Sequence, residues 1–185
     1  MASGKRVRPA LSARTQRVFF ALRPDARVRA DLAQAARRMH CVSHGRQTRE
    51  DSIHLTLVFV GGVDVEKISC LLAPPATVFT SAFCLTLDNW GCWARKGIGW
   101  VGASHVPGPL RDLAANLEGW LRGAGFELKE RVFTPHVTLV RNAHSTPPPD
   151  AMAPIEWQVE EFALIRSRLA PDGARYEVLG AWPLG

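Results

Sequence analysis

The distribution of apolar and polar positions along the chain predicts alternating strands and helices. Residues 17–22 form a short apolar run that ends before Pro24, which is typical of a buried strand. Residues 54–60 alternate and are rich in β-branched and aromatic side chains, so they predict a half-buried strand. Residues 25–39 and 109–122 repeat apolar positions every three or four residues, which predicts two amphipathic helices. The other predicted elements are a short helix over 65–72, one or two strands within 79–93, and strands over 98–103, 136–140, 159–167 and 175–182.

A constant spacing relates the two parts of this pattern. At an offset of 82 residues, three segments fall into register with later ones: 18–22 with 100–104, 25–39 with 107–121, and 54–58 with 136–140. Three elements that share one offset predict a duplicated strand–helix–strand unit. Two such halves, related by a pseudo-twofold axis, would place their equivalent strands around a shared cleft.

Composition and charge divide the chain into a basic start and a nearly neutral remainder. The 185 residues carry a formal charge of +6 and suffice for one domain, which we assign to residues 16–185. Much of the net positive charge is in the first 17 residues, which contain Lys5, Arg6, Arg8, Arg14 and Arg17. We predict that residues 1–15 are a disordered basic tail; a nonspecific nucleic-acid arm and an organellar transit peptide are the alternatives.

Targeting features and cysteines predict a cytoplasmic protein. The sequence has no secretory hydrophobic segment, and no apolar run approaches the ~18 residues that span a bilayer. The four cysteines lack C-x-x-C spacing, and a chain of this size does not need disulfides for its core. We therefore expect reduced thiols and no membrane partner.

The strongest candidate for chemistry is a repeated tetrapeptide, His54-Leu-Thr-Leu57 and His136-Val-Thr-Leu139. Side chains two residues apart in a strand share a face, so each copy presents an imidazole beside a hydroxyl. A single copy would most simply be a strand histidine bonded to its neighbour. Two copies at matching positions of a repeat point instead to a common site.

Paired His-x-Thr strands suit in-line displacement at phosphorus. Histidine titrates near neutrality, so one imidazole can accept a proton from the nucleophile while the other donates one to the leaving oxygen. Threonine hydroxyls can donate hydrogen bonds to the phosphoryl oxygens as charge develops. No cysteine or carboxylate cluster accompanies the histidines, so the site needs no metal or other cofactor.

Around these motifs the sequence resembles the two-histidine (2H) phosphoesterases, and within them the bacterial and archaeal RNA 2′,3′-cyclic phosphodiesterases, also called the 2′-5′ RNA ligase family. The resemblance covers nearly the whole chain after the tail. It rests on four segments: residues 17–22, 54–61 and 135–141, and the closing Phe162–Ser167 with Arg175-Tyr176.

The resemblance implies an α+β, bilobal fold, in which two pseudo-twofold-related lobes of antiparallel sheet carry helices on the outside and hold the active cleft between them. It also implies metal-independent hydrolysis of RNA 2′,3′-cyclic phosphate ends to 2′-phosphates. We further expect the protein to be a monomer. By position, His54 would be the proton donor to O3′ and His136 the proton acceptor from water. The other implied site residues are Thr56 and Thr138 on the phosphate, Arg141 as a further phosphate contact, and Phe59 as a base-stacking aromatic. Strict alternation places Phe59 on the face opposite His54, so only a twist before Gly61 would bring it to the site.

Other functions remain open on the sequence. Another activity of the same family, such as 2′-5′ RNA ligation or hydrolysis of small cyclic nucleotides, would use the same residues. A noncatalytic module that binds RNA ends is the alternative from a different class. The Gly97-x-Gly99-x-x-Gly102 pattern lies within an apolar run, which favours a glycine-rich strand over a dinucleotide site. His40 and His44 lack a third ligand at metal-binding spacing, so a solvated helix end is favoured there.

Overall fold

The structure is a computed structural model that describes residues 15–143, 153–170 and 173–185. The basic segment 1–15 therefore lies outside the described residues except for Thr15, and its predicted disorder stays a prediction. The described elements are β1 Thr15–Leu22, α1 Ala26–Ser43, β2 Arg46–Gln47, β3 Leu55–Asp64, α2 Ile68–Leu71, β4 Phe83–Leu87, β5 Asn89–Trp93, β6 Ile98–Gly102, α3 Gly108–Gly123, β7 His136–Arg141, β8 Ile155–Val159, β9 Glu161–Ala170 and β10 Gly173–Pro183.

The described strands form an antiparallel eight-stranded sheet and a separate two-stranded sheet. The order in the large sheet is β10-β9-β1-β3-β7-β6-β5, with β2 also paired to β7, and the small sheet pairs β4 with β8. Strands β3 and β7 are joined at a single residue pair, Leu55 with Val137. The large sheet thus consists of two halves that meet beside both His-x-Thr motifs, and the predicted α+β fold with antiparallel sheets is confirmed.

Helix α1 begins where the sequence predicts and extends further than the periodicity indicates. The Asp25 side chain caps its start by accepting a hydrogen bond from the Val28 amide at 2.8 Å. The helix continues to Ser43 and ends at His44, whose backbone has φ of 52° and whose amide donates to the His40 carbonyl. His40 and His44 are therefore at a helix end, as predicted.

The two strand–helix–strand units, β1-α1-β3 and β6-α3-β7, exchange their helices across the large sheet. Helix α1 packs against β7 of the other half, while α3 packs against β3. Met39 of α1 contacts Gly99 of β6 so closely that a Cβ on this glycine would lie 2.3 Å from the Met39 sulfur. Each half therefore depends on the other for its core. Duplication of the sequence stays a prediction.

The predicted offset of 82 residues fits the second strands of the two units better than the first strands. Ala21 pairs with Thr56, whereas the residue that pairs with Thr138 is Trp100 and not Ala103, which the offset would place there. The chain between β6 and α3 is longer than the chain between β1 and α1, and this extra length shifts the register.

The two faces of the first half-sheet have different neighbours. Val18, Phe20 and Leu22 point into the main core that the helices cover. Phe19 and Ala21 point to the opposite face, where a small separate cluster also contains Ala163, Ile165 and Tyr176. This second face is the one on which the site is built.

Two local details differ from the sequence predictions. The predicted short helix over 65–72 is a 3₁₀ turn at Val65–Lys67 followed by the single turn α2. Strand β8 was missed, although Ile155–Val159 alternates buried and exposed positions as a strand should. The glycine-rich run 97–102 is β6, as predicted, with Gly97 in the left-handed turn before it. Across the described residues, no helix has the length and hydropathy required to cross a bilayer.

Candidate active site

A β-bulge follows each His-x-Thr motif and determines which side chains reach the site. In β3, Thr56 pairs with Ala21 and Val58 with Phe20, so Leu57 is an extra residue. In β7, Thr138 pairs with Trp100 and Val140 with Gly99, so Leu139 is the extra residue. The last Leu of each tetrapeptide is thus the bulged position.

The bulges reverse the alternation of side chains beyond the motifs. Leu57 and Val58 are both buried although they are consecutive, and the next residue, Phe59, is 52% exposed. In β7 the consecutive Leu139 and Val140 are both buried, and Arg141 comes next. Phe59 and Arg141 are therefore equivalent residues of the two units.

Phe59 consequently lies on the His54 side of the sheet, and the strict alternation that places it on the opposite face is wrong. The Phe19 ring contacts both side chains, with ring centroids 5.8 Å from Phe59 and 4.9 Å from His54. The Arg131 guanidinium lies over the Phe59 ring, 5.5 Å from its centroid. The bulge at Leu57, and not a twist near Gly61, places Phe59 on the same face of the sheet as His54.

The same hydrogen bond orients both imidazoles. Nδ1 of His54 lies 2.7 Å from the Ser52 carbonyl oxygen, and Nδ1 of His136 lies 2.7 Å from the Thr134 carbonyl oxygen. Because a carbonyl oxygen can only accept, Nδ1 carries the proton in both rings. Nε2 is left as the nitrogen that can accept or donate a proton at the site.

Several polar groups lie at or near the junction of the two half-sheets without protein partners. The register through Leu55 and Val137, extended by one residue each way, sets His54 opposite Thr138 and Thr56 opposite His136. Within the part of the chain that the structure describes, neither threonine hydroxyl, neither Nε2 nor the Arg141 guanidinium has a hydrogen-bond partner. Hydroxyl and guanidinium donors without protein partners suit an anion such as a phosphate.

Aromatic rings flank both histidines on their outer sides. His54 contacts Phe19 and also Tyr176, whose ring is edge-on at 5.0 Å. His136 contacts Trp93 edge-on at 4.6 Å, and the Lys96 ammonium lies 5.0 Å from the Trp93 centroid. These rings restrict each imidazole and remove water from it.

The environment lowers the pKa of both histidines. Burial is the main cause for His54 and lowers its pKa to about 4, with smaller contributions from the positive charge of Arg141 and from His136. Burial also lowers the pKa of His136, helped by the cations Lys96 and Arg141. The hydrogen bonds from Nδ1 act in the opposite direction. Both rings are therefore largely neutral at pH 7 in the unliganded protein.

Residues 15–143, 153–170 and 173–185 contain no group of three or more His, Cys, Asp or Glu side chains that could hold a metal ion.

Comparison with known proteins identifies the family of this site. Residues 18–170 match the model of the 2′-5′ RNA ligase superfamily. The chain belongs to the 2′-5′ RNA ligase superfamily. The match includes both His-x-Thr motifs and ends in β9.

Individual members of the superfamily align with nearly the whole chain. The RNA 2′,3′-cyclic phosphodiesterase of Escherichia coli is 34% identical over 174 residues, which are 91% of this chain and 97% of that protein. The enzyme of the same name from Thermus thermophilus is 30% identical over 178 residues, covering 91% and 90% of the two chains. The crystal structure of E. coli LigT complexed with 3′-AMP has a TM-score of 0.79 and 33% identity, and the alignment covers 92% of this chain and 98% of that chain.

The predicted site residues of this superfamily member lie at the junction of the half-sheets or at its edge. His54, Thr56, His136 and Thr138 flank the Leu55–Val137 pair. Arg141 is near enough to both imidazoles to lower their pKa values. Phe59 is one ring further away, behind Phe19.

The aromatic residues that contact the imidazoles are not among the site residues predicted from the sequence. Phe19 belongs to the opening strand, and Tyr176 to a closing segment whose importance was noted only by resemblance. Trp93 lies in the segment 79–93, for which the sequence predicts only strands. The alternation of β1 could have placed Phe19 on the site face, but the contacts of Tyr176 and Trp93 depend on strand order, which the sequence does not state.

Proposed function

We propose that the protein hydrolyses 2′,3′-cyclic phosphate ends of RNA to 2′-phosphate ends, with His54 and His136 as acid and base. The observation that carries the proposal is the pair of imidazoles, each with a free Nε2, at the junction where two threonine hydroxyls and Arg141 also lack partners. The names of the two relatives support the choice of substrate.

In the proposed step, water attacks phosphorus and gives a proton to Nε2 of His136. The P–O3′ bond breaks as Nε2 of His54 donates its proton to O3′, which becomes the free hydroxyl, while phosphate stays on O2′. Thr56, Thr138 and Arg141 hold the non-bridging oxygens as negative charge builds on them. The distribution of roles between the two histidines follows the family resemblance, because the two motifs are nearly symmetric.

The donor role of His54 requires help from the substrate. A ring with a pKa of about 4 is almost entirely neutral at pH 7. A bound phosphodiester brings negative charge next to the imidazole and offsets the positive charge of Arg141, so it raises this pKa. We therefore expect a higher apparent acid-group pKa in the pH profile of kcat, which reports the complex, than in that of kcat/KM, which reports the free protein.

The test is incubation with a short oligoribonucleotide that ends in a 2′,3′-cyclic phosphate, in the presence of EDTA, followed by identification of the product. Conversion to a 2′-phosphate end supports the proposal, and survival of the cyclic end contradicts it. Parallel reactions with 3′,5′-cyclic nucleotides, ADP-ribose cyclic phosphate and pairs of RNA ends distinguish the other activities of the family. Binding of the RNA end without turnover would select the noncatalytic module.

We further propose that the protein acts on RNA ends as a monomer in the cytoplasm. All four cysteines are within the described residues and carry free thiols, which suits a reducing compartment. Both motifs belong to one chain, so the proposed chemistry needs no residue from a second copy. Light scattering of the purified protein tests the oligomeric state.

A further inference from the structure

A pocket on the outer side of His54 contains an arginine that the proposed reaction does not use. Arg23 follows the last residue of β1, Leu22, which pairs with Leu55, so the register places Arg23 opposite His54. Alternation along β1 puts its side chain on the face of Phe19 and Ala21, the face on which His54 lies. Arg23 and His54 line the same pocket.

Arg23 is half-buried, and its guanidinium has no hydrogen-bond or ion-pair partner among the residues that the structure describes. The carboxylate in the same pocket, Asp51, is already occupied: Arg49 donates two hydrogen bonds to it, at 3.1 and 2.6 Å, and Ser52 donates a third at 2.8 Å. The hydrogen bond from Arg49 is the main reason that the pKa of Asp51 is lowered, and Arg175 adds to the effect. The cations around the pocket therefore outnumber its carboxylate.

The position of the pocket relates it to one part of the substrate. Strand β7 with His136 is on one side of β3. On the other side are β1, which Arg23 directly follows, and β9, which carries Ile165. The pocket is thus on the side of His54 that faces away from His136. If His54 protonates O3′, the ribose that carries O3′ lies next to His54, and a chain that continues from its O5′ can reach the pocket.

We propose that Arg23 binds the internucleotide phosphodiester on the 5′ side of the cyclic-phosphate nucleotide and makes the protein prefer RNA ends to free cyclic mononucleotides. This inference rests on the proposed function and on the donor role of His54. A half-buried, unpaired guanidinium is a strong site for a phosphate because it can donate two parallel hydrogen bonds to two of its oxygens. The residue determines specificity and takes no part in the bond-breaking step.

The experiment compares kcat/KM for three substrates: a nucleoside 2′,3′-cyclic phosphate, a dinucleotide with the same cyclic end, and that dinucleotide with an uncharged methylphosphonate linkage. The wild-type protein should prefer the natural dinucleotide about tenfold, the equivalent of about 1.4 kcal/mol. The uncharged dinucleotide should behave like the mononucleotide. Arg23→Gln should abolish the preference and leave mononucleotide turnover unchanged, whereas the matched charge removal Arg111→Gln, on the exposed surface of α3, should retain it.

Each other outcome overturns the inference in a recognisable way. Equal loss on all three substrates in Arg23→Gln, with unfolding monitored by circular dichroism, would mean a structural or catalytic role. A wild-type preference that survives in the methylphosphonate would mean that the pocket takes a base or a sugar. Absence of wild-type turnover on all three substrates would instead refute the proposed function itself.

Discussion

The two halves of the site share the same backbone features but carry different side chains. In each half an imidazole is oriented by the carbonyl two residues before it, and a bulge follows the threonine. The bulge then delivers Phe59 to the site face in the first half and Arg141 in the second. The shared hydrogen bonds and bulges position a symmetric acid–base pair. Phe59 and Arg141 make the two sides of the cleft chemically different.

The surroundings of the two histidines differ as well. His54 is enclosed by Phe19 and Tyr176 and has a pKa of about 4, while His136 has Trp93 and the nearby cation Lys96. A near-symmetric backbone thus holds two imidazoles with different proton affinities. An enzyme that must take a proton on one side and give one on the other needs such a difference.

Removing the charge of Arg141 should have the largest effect among changes outside the two histidines. We expect Arg141→Gln to lower kcat/KM for a cyclic-phosphate end by about 100-fold, because a positioned cation on the phosphoryl oxygens is lost. The substitution should also raise the pKa of both histidines, since Arg141 lowers both. A pH–rate profile of Arg141→Gln and Arg141→Lys measures both effects, and an unchanged rate would remove Arg141 from the site.

The buried state of His54 should appear in the stability of the folded protein at low pH. The unfolded chain takes up the histidine proton near pH 6.5 and the folded protein only near 4, so stability from this group is complete above pH 6.5 and is lost as pH falls toward 4. The shift corresponds to about 3 kcal/mol of unfolding free energy. Urea denaturation measures the loss of unfolding free energy between pH 7 and pH 4. This loss should be smaller in His54→Gln than in the wild type by about 3 kcal/mol. Equal acid destabilisation in the two proteins would contradict the burial of this ring.

These contrasts also explain what the sequence alone could predict. Strands and helices with strong periodicity, such as α3 and the segment around His54, were predictable because burial enforces the pattern locally. The face of Phe59 was not, because a bulge depends on the register with a neighbouring strand and leaves no period in the chain. The contact between Tyr176 and His54 could not be predicted either, because it depends on the strand order, in which β10 lies two strands away from β1.

The two threonines should be equivalent if the site is as symmetric as its backbone. Thr56→Val and Thr138→Val should each lower kcat by about tenfold, because each removes one hydrogen bond to the transition state while it keeps the β-branched shape. Thr→Ser at either position retains the hydroxyl and is the matched control. A loss of kcat in only one of the two valine variants would show that the phosphate lies closer to one half-sheet than to the other.

Phe59 should give the smallest effect and should depend on the substrate. Phe59→Leu should raise KM a few-fold for a nucleotide whose base can stack on the exposed ring, at unchanged kcat. A cyclic phosphate without a base should be insensitive to the change. Equal sensitivity of both substrates would indicate that Phe59 acts through Phe19 on His54 rather than on the base.

The most direct test of the two-histidine account is single-turnover hydrolysis of an oligoribonucleotide 2′,3′-cyclic phosphate in EDTA by the wild type, His54→Gln and His136→Gln. General acid and general base catalysis each contribute about 10²–10⁴-fold, so each variant should be slower by that factor and should lose one limb of the pH profile. Retained binding of the RNA end would confirm that the site is intact. Wild-type rates in either variant, or a pH profile that keeps both limbs, would contradict catalysis by paired histidines.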